Sequence, residues 1–510
     1  MSDRLRPYLF YDVAISICPT CYRKVDGKVV FEDEKVFLLR RCPEHGHTRA
    51  LLADDVEYYR KSREVYLKTP EQPNRYNTPI QWGCPYDCGL CPDHEQHSCL
   101  ALIELTDHCN LECPICYAGS SPTRTGYRSL ETVVKMLDAV VANEGNADVL
   151  QLSGGEPTLH PQFFEILDAA KARPIKHVML NTNGIRIAND AEFARRLATY
   201  MPGFEVYLQF DSLKAEPLLE LRGVDLREVR ERAIARLNEL GLLTTLVVTL
   251  KKGLNDGEIG EILDYAVAQP AVRGVTLQPI QDAGRTEDFD PATDRLTLTE
   301  VRRKILEQSD LFAPEDVIPV PCHPDSLAMA YGLRMNGKKG SATGGGTPTE
   351  RGMFAPLTGM VPIEALLEGS KATIAYEFDS GLKTKLMGLF SAAHSPEASA
   401  SKLRDLLCCL PKVDAPGSIT AKDVFRVLIV SFIDAWSFDV RAIKKTCVHI
   451  VHPHDQRLIP FDTYNLFYRD ELESTRLAGL RASIDGTPPV TPHSEPALVP
   501  LMARLPPRSS

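Results

Sequence analysis

Ten of the fourteen cysteines lie within the first 116 residues, in C-x2-C and C-x3-C spacings. Thiols this crowded are either disulfides or metal ligands, and the two fates require different folds. A disulfide scaffold fits poorly with a chain of 510 residues. The N-terminus also lacks a basic start, an apolar stretch and a small-residue cleavage site. Metal or iron–sulfur ligation in a reducing cytosol is the expectation.

The central stretch is Thr106-Asp-His-Cys109-Asn-Leu-Glu-Cys113-Pro-Ile-Cys116-Tyr117, directly after the apolar run Ala101–Leu105. Three thiolates on one tight loop can hold three irons of a cubane [4Fe–4S] cluster, whose usual complement is four cysteines. The fourth iron is then open to bind and activate a small molecule. The same distinction separates catalytic metal sites from closed structural ones.

A second C-x3-C-x2-C, Cys84-Pro-Tyr-Asp-Cys88-Gly-Leu-Cys91, precedes it, with Cys99 eight residues further on. Cys99 is positioned to saturate that set, and no strand-like run leads into it. It reads as a closed auxiliary [4Fe–4S] site. A zinc site with His94 or His97 is the competing reading. Earlier still, Cys18-Pro-Thr-Cys21 and Cys42-Pro-Glu-His45-Gly flank a run of alternating apolar residues from Val25 to Leu39. Two knuckles across a hairpin are the layout of a zinc ribbon or rubredoxin-like site. One iron or zinc on Cys18, Cys21, Cys42 and His45 is expected there.

From 101 to 300, strand-like and amphipathic segments alternate. Candidate strands are Ala101–Leu105, Val149–Ser153, His177–Thr182, Glu205–Phe210, Thr244–Leu250 and Gly274–Pro279. Helical periodicity marks Leu130–Val141, Gln162–Lys171, Asp190–Tyr200 and Leu226–Leu240. Six βα units predict a parallel α/β sheet with polar chemistry at the C-terminal strand ends. The polar motifs sit there: Ser153-Gly154-Gly155-Glu156-Pro157, Asn181-Thr-Asn183-Gly184, Gln209-Phe-Asp211-Ser212, and Gln278-Pro-Ile-Gln281 with Gly284-Arg285.

Together, the three-cysteine loop, the Gly-Gly-Glu-Pro run and the six βα units resemble the radical S-adenosylmethionine (SAM) superfamily. That resemblance implies a partial (β/α)6 TIM-like barrel. It implies that the open iron binds SAM and that its reductive cleavage yields a 5′-deoxyadenosyl radical. It implies SAM contacts from Ser153, Gly154, Gly155 and Glu156. Tyr117 would border the adenine, and Asn181, Asn183, Gln209 and Asp211 would reach the ribose, the carboxylate or the substrate. Singly, each of these polar residues reads equally well as a strand-end cap. An external flavodoxin- or ferredoxin-like electron donor is also implied.

The wider order of motifs resembles the archaeal tetraether lipid synthase group, also described as class D radical SAM methyltransferases acting on pterins. The order continues with Pro321-Cys322-His-Pro, Cys447-Val-His449 and Ile459-Pro-Phe-Asp462-Thr-Tyr-Asn465-Leu-Phe-Tyr-Arg469. The group's pattern has cysteine where this chain has Asp462. If that cysteine binds a third cluster, this chain either uses Asp462 as an oxygen ligand or lacks the cluster, and the remaining candidate ligands are Cys322, Cys447, Cys408 and Cys409. Cys408 and Cys409, on a leucine-spaced helical stretch, read as core.

The expected organisation is a metal knuckle (1–60), an auxiliary cluster segment (61–100), the barrel (101–300), a mixed α/β C-terminal domain (301–486) and a disordered tail (487–510). Residues 337–352 read as a flexible glycine-rich loop. The net charge of −10 argues against a nucleic-acid partner. No window of about 18 uninterrupted apolar residues predicts a membrane span. The most apolar stretch, Val424–Trp436, is broken by Arg426 and Asp434 and reads as a buried helix or strand. Leu386–Phe390 and the leucines at 403–410 are the segments a peripheral membrane contact would use, with core packing the competing reading.

Three functions are carried forward. The first is radical carbon–carbon coupling on apolar, lipid-like chains. The second is radical methyl transfer to a pterin-like or other small molecule. The third is a non-catalytic metal-stabilised binding protein, against which the Gly-Gly-Glu-Pro run and the six βα units both speak.

Overall fold

A computed structural model describes residues 6–287, 289–291, 293–335, 353–368, 373–376 and 423–485. The glycine-rich loop, Leu386–Phe390, the leucine face with Cys408 and Cys409, and the C-terminal tail lie outside these residues.

The alternating N-terminal segment forms a four-stranded antiparallel sheet: β1 (Leu9–Ile17), β2 (Lys24–Glu32), β3 (Lys35–Cys42) and β4 (Gly46–Ala53). The two strands foreseen in the sequence are its central pair. Next come the barrel strands β5 (Leu100–Glu104), β6 (Ala147–Ser153), β7 (Ile175–Thr182), β8 (Phe204–Gln209), β9 (Thr244–Leu250) and β10 (Val272–Pro279). They pair in parallel in chain order, within a residue or two of the sequence expectation. The helices between them bury one stripe each. In Leu130–Glu144 the stripe is Val133, Met136, Leu137 and Val140, the spacing of one helix face. Ser129 caps that helix, accepting from the Thr132 N–H at 3.1 Å.

The barrel does not end at residue 300. The C-terminal region supplies β11 (Leu327–Met335), β12 (Val424–Val430), β13 (Val448–Val451) and β14 (Leu458–Pro460) to the same sheet. β12 pairs parallel to β10, and β13 pairs parallel to β5. Eight parallel strands therefore run side by side, bounded by antiparallel β11 and β14. The boundary expected at residue 300 separates stretches of chain that share one hydrogen-bonded sheet. The apolar run from Val424 is a strand with both faces covered, each of its seven residues being buried.

One polar layer crosses the sheet interior. Glu205 on β8 is fully buried and accepts from His177 Nε2 on β7 at 3.0 Å, Arg273 Nε on β10 at 2.6 Å and Arg426 on β12 at 3.3 Å. The hydroxyl of Thr245 on β9 donates to it as well. Burial would raise this carboxyl, but the two guanidinium groups outweigh burial and hold it well below the carboxylate range. Arg426, which interrupts an apolar run in the sequence, is thus the tie that fastens β12 to the barrel.

Among the described residues, no helix is long and apolar enough to cross a membrane.

Glu205→Ala strands two buried guanidinium groups. Denaturant unfolding of the full chain should show a loss of about 3–5 kcal/mol. A change under about 1 kcal/mol would mean that the layer does not hold the strands together.

Candidate functional site

At the C-terminal end of the barrel strands, the three-cysteine loop is docked by backbone contacts. Gly155 N–H donates to Thr106 O at 2.7 Å and Glu156 N–H donates to His108 O at 2.9 Å. The two glycines make this approach possible. A Cβ on Gly154 would sit 2.4 Å from Thr106 O, and one on Gly155 would sit 2.1 Å from His108 O. Gly154 also has φ +125°. From the other side, Arg285 donates to Cys113 O at 2.6 Å and Ser120 O at 2.8 Å. The short strand Ile115–Cys116 pairs with Arg285–Thr286. Gly284-Arg285, named in the sequence only as a polar strand-end motif, clamps the cysteine loop.

The polar strand-end residues form a connected row. The Tyr117 hydroxyl lies 3.3 Å from Ser153 Oγ, and Asn181 Nδ2 donates to Ser153 Oγ at 3.0 Å. Gln209 Nε2 donates to Asn181 Oδ1 at 3.0 Å, and Arg222 donates to Gln209 Oε1 at 3.2 Å. Asn183 Nδ2 donates to Asn110 Oδ1 in the cysteine loop at 2.7 Å. Tyr117, Asn181, Asn183, Gln209 and the three cysteines all face one cavity, whose deeper wall is apolar: Leu102, Val149, Met179, Leu428, Val430 and Phe432.

Two carboxylates expected to meet the cofactor are engaged by the chain's own donors, although Glu156 still lines the cavity. The Glu156 carboxylate is 1% exposed. It already accepts from Thr158 N–H, Thr158 Oγ1, Thr182 Oγ1 and Asn183 N–H, all within 3.1 Å. Three of these bonds fall on Oε1 and one on Oε2, so it braces the ends of β6 and β7 while Oε2 keeps acceptor capacity. Burial raises its pKa, partly offset by those donors. Asp211, at positive φ and wholly buried, is not part of the cavity wall. It accepts from Arg222 Nε at 2.8 Å and Arg230 at 3.4 Å. Burial would raise it too, but Arg222 outweighs burial and holds it below the usual range.

Arg222 escaped the sequence reading. It is the last residue of the helix Ala215–Arg222, ahead of Gly223, a position that looks like an ordinary helix end. Its charge opposes the burial that raises the Cys113 thiol. Glu104 also went unnoticed, and Arg469 was read only as the end of the Ile459–Arg469 motif. Arg469 grips Glu104 through two hydrogen bonds of 3.1 and 2.8 Å and lies 5.4 Å from the centre of the Tyr117 ring. This buried pair brings the Tyr464–Arg469 segment against the site.

The remaining cysteines sort by spacing. Cys18, Cys21, Cys42 and His45 have ligand atoms within 4.8 Å of one another, as one ion requires. Burial would raise the Cys42 thiol, but the His45 hydrogen bond helps bring it down to about 6. Cys84 and Cys88 are neighbours. The Cys84 contact and then burial push the Cys88 thiol up, and burial pushes Cys91 up to about 11. Cys99, expected beside them, lies instead with Cys322 and Cys447. It opens β5 on the far side of the loop that carries His94 and His97. Among the described residues, these two sets are the tight ones. The thiols of 109, 113 and 116 stand wider apart, as ligands on different irons of a cluster do.

The Radical SAM superfamily profile matches residues 103–266, and the HMPTM N-terminal zinc ribbon domain profile matches residues 10–54. The chain is 32% identical over 485 residues to the 7,8-dihydro-6-hydroxymethylpterin dimethyltransferase of Methanocaldococcus jannaschii, covering 90% of this chain and 94% of that protein. The chain belongs to the radical SAM superfamily. It is also 31% identical over 183 residues to the GTP 3′,8-cyclase of Chlorobaculum tepidum, covering 35% of this chain and 54% of that one. Among solved structures, Streptococcus suis SuiB bound to S-adenosylmethionine aligns over 41% of this chain and 46% of its own, at 18% identity and a TM-score of 0.35. As a radical SAM enzyme the protein uses a [4Fe–4S] cluster with SAM, at least one auxiliary [4Fe–4S] cluster and one mononuclear iron or zinc.

Gly155→Ala should displace the cysteine loop and lower SAM cleavage about 100-fold, the cost of misplacing a reacting group by about 1 Å. Gly257→Ala, whose added Cβ meets nothing within 4 Å, serves as the control. The readout is 5′-deoxyadenosine formed under dithionite.

Proposed function

We propose that the protein is a radical SAM methyltransferase acting on a reduced pterin or a similar small heterocycle. The observation that supports this most is the 32% identity, sustained over 90% of the chain, to the dihydropterin dimethyltransferase. In this reading Cys109, Cys113 and Cys116 hold the SAM-binding cluster. Gly154, Gly155, Asn181, Asn183, Gln209 and Tyr117 form the SAM side of the cavity, with Ser153 buried behind them against Tyr117 and Asn181. Cys84, Cys88 and Cys91 carry an auxiliary cluster, and Cys18, Cys21, Cys42 and His45 carry one closed ion. When bound, cluster and SAM supply a 5′-deoxyadenosyl radical that takes one hydrogen atom from a substrate carbon.

The chain's own work is to orient and to exclude water. The hydrogen-bonded row from Tyr117 to Arg222 fixes the polar rim. Phe432 and Phe461, stacked with centroids 3.9 Å apart, and Tyr117 against Phe461 at 5.1 Å close the side. On the floor, Gln151 and Gln278 offer amide groups suited to the donor–acceptor edge of a pterin. Gln278 Nε2 is steadied by the Tyr207 hydroxyl at 3.1 Å. A flavodoxin- or ferredoxin-like protein would deliver the electron.

A second reading, coupling of lipid-like chains, is favoured by the apolar wall of Met179, Leu428, Val430 and Phe432. Incubating anaerobically reconstituted enzyme with dithionite, SAM and either substrate class separates the two. With a separate one-carbon donor supplied (a second molecule of SAM or another methyl carrier) and dithionite providing the electrons, the methyltransferase reading expects a mass gain of one methyl unit on the dihydropterin. The substrate hydrogen leaves in 5′-deoxyadenosine and the rest of the cleaved SAM leaves as methionine. A coupled product from apolar chains, with the pterin untouched, favours the second reading. Absence of 5′-deoxyadenosine from fully loaded, SAM-binding protein defeats both.

Cys113→Ala should abolish 5′-deoxyadenosine formation and remove about four irons with their sulfide. The zinc-ribbon ion should stay, as metal analysis would show.

A further inference from the structure

Arg469 reaches both flanks of the three-cysteine loop. Glu104, the last residue of β5, lies ahead of Cys109, and Tyr117 follows Cys116 directly. The Arg469 guanidinium donates to Glu104 Oε2 at 3.1 Å and to Oε1 at 2.8 Å, the two-pronged pairing of arginine with a carboxylate. Its central carbon lies 5.4 Å from the centre of the Tyr117 ring, within cation–π range. Glu104 and Arg469 are both buried. Burial would raise the Glu104 carboxyl, but Arg469 outweighs burial and holds it below the usual range.

Arg469 is itself fixed from behind. Its Nε donates to Asn465 Oδ1 at 2.8 Å and its backbone N–H to Tyr464 O at 2.9 Å, and the Tyr464 ring centre lies 5.0 Å from the guanidinium carbon. With Nε, Nη1 and Nη2 all engaged, the fork is held in one orientation. The residue before it is anchored elsewhere. The Tyr468 hydroxyl accepts from Cys88 N–H at 2.9 Å and donates to Tyr86 O at 3.0 Å. The segment is therefore pinned independently of the loop that Arg469 grips. On the cavity side, the Tyr117 hydroxyl meets Ser153 Oγ at 3.3 Å and its ring meets Phe461 at 5.1 Å.

We propose that Arg469 is a positioning residue for SAM binding: it clasps the entry and the exit of the three-cysteine loop, through Glu104 and Tyr117, and so sets the Tyr117 ring in the cavity wall. The assignment rests on Tyr117 standing on the SAM side of the cavity, and it holds for either substrate reading. The clasp acts on SAM rather than on cluster assembly, because the backbone contacts from Gly155, Glu156 and Arg285 seat the loop without it.

SAM affinity is measured by equilibrium dialysis on the anaerobically reconstituted full chain without reductant, with iron and sulfide assayed alongside. Removing one partner alone would strand a buried charge, so both are replaced together, Glu104→Gln with Arg469→Met, a neutral pair of similar size. The dissociation constant for SAM should rise at least about tenfold, with iron and sulfide at wild-type levels. After reduction, the cluster's EPR signal should need correspondingly more SAM before it changes. Tyr117→Leu should weaken SAM binding to a similar degree. Adding it to the double variant should weaken binding little further, because the pair acts through that ring. Unchanged affinity in the double variant, with a loss in Tyr117→Leu, overturns the clasp and leaves Tyr117 on the SAM side. Unchanged affinity in Tyr117→Leu overturns the placement of Tyr117 and the clasp with it. Fully additive losses overturn action through Tyr117, and lost iron and sulfide in the double variant would make the pair part of cluster assembly instead. Should the double variant not fold, Arg469→Lys decides: the ammonium keeps the charge beside Glu104 but loses the planar fork, and unchanged SAM affinity there overturns the proposal.

Discussion

A single buried carboxylate, Glu205, fixes the geometry on which the site rests. It has no access to water, and two arginines and a histidine converge on it from three other strands. Removing water from such charges is costly, and the cost is recovered only when the donors arrive in one arrangement. That requirement selects the strand order β7, β8, β9, β10, β12 over alternatives that bury equal apolar area. It also commits β12, more than 140 residues downstream of β10, to the same barrel. The cavity depends on that commitment, because Leu428, Val430 and Phe432 form much of its apolar wall. Specificity for substrate is therefore written partly in a segment far from the barrel's own repeats.

Parallel strands joined by helices must all present their C-terminal ends to one side. The Ser153–Pro157, Asn181–Gly184 and Gln209–Ser212 runs consequently meet, although they are tens of residues apart. Their meeting was legible from the alternation of apolar runs and amphipathic helices. Which of them face the cavity was not. Glu156 and Asp211 look like ligand-binding carboxylates in the sequence. Both are engaged by the chain's own donors, four for Glu156 and two arginines for Asp211. A carboxylate's vacancy is a tertiary property, set by what folds against it, and no local pattern encodes it. The glycines show the reverse case. A ligand cradle was the expected reason for Gly154 and Gly155, yet the nearest obstacle to a side chain is the backbone of Thr106 and His108. The run that marks the family thus serves first to seat the cysteine loop.

The C-terminal half was the least legible region. Arg426 and Asp434 break an apolar run that, read locally, could be a buried helix or a strand. In the fold each is neutralised across the molecule, Arg426 by Glu205 and Asp434 by Arg295. Asp462 accepts from Ile433 N–H at 2.6 Å and Thr446 Oγ1 at 3.0 Å. Burial raises its pKa to about 6. It ties the end of β12 to the start of β13 and belongs to neither tight set of metal ligands.

Thiol spacing then separates the metal sites where sequence spacing did not. Cys84/Cys88/Cys91 and Cys109/Cys113/Cys116 share one motif, and proximity along the chain assigned Cys99 to the first. Strand register overrules that assignment. Cys99 stands at the foot of β5, beside Cys447 at the foot of β13, whereas the Cys109 loop follows the other end of β5. A five-residue strand rising about 3.3 Å per residue puts roughly 16 Å between those levels. One strand thus carries a tight thiol set at its buried foot and an open, widely spaced set at its functional end.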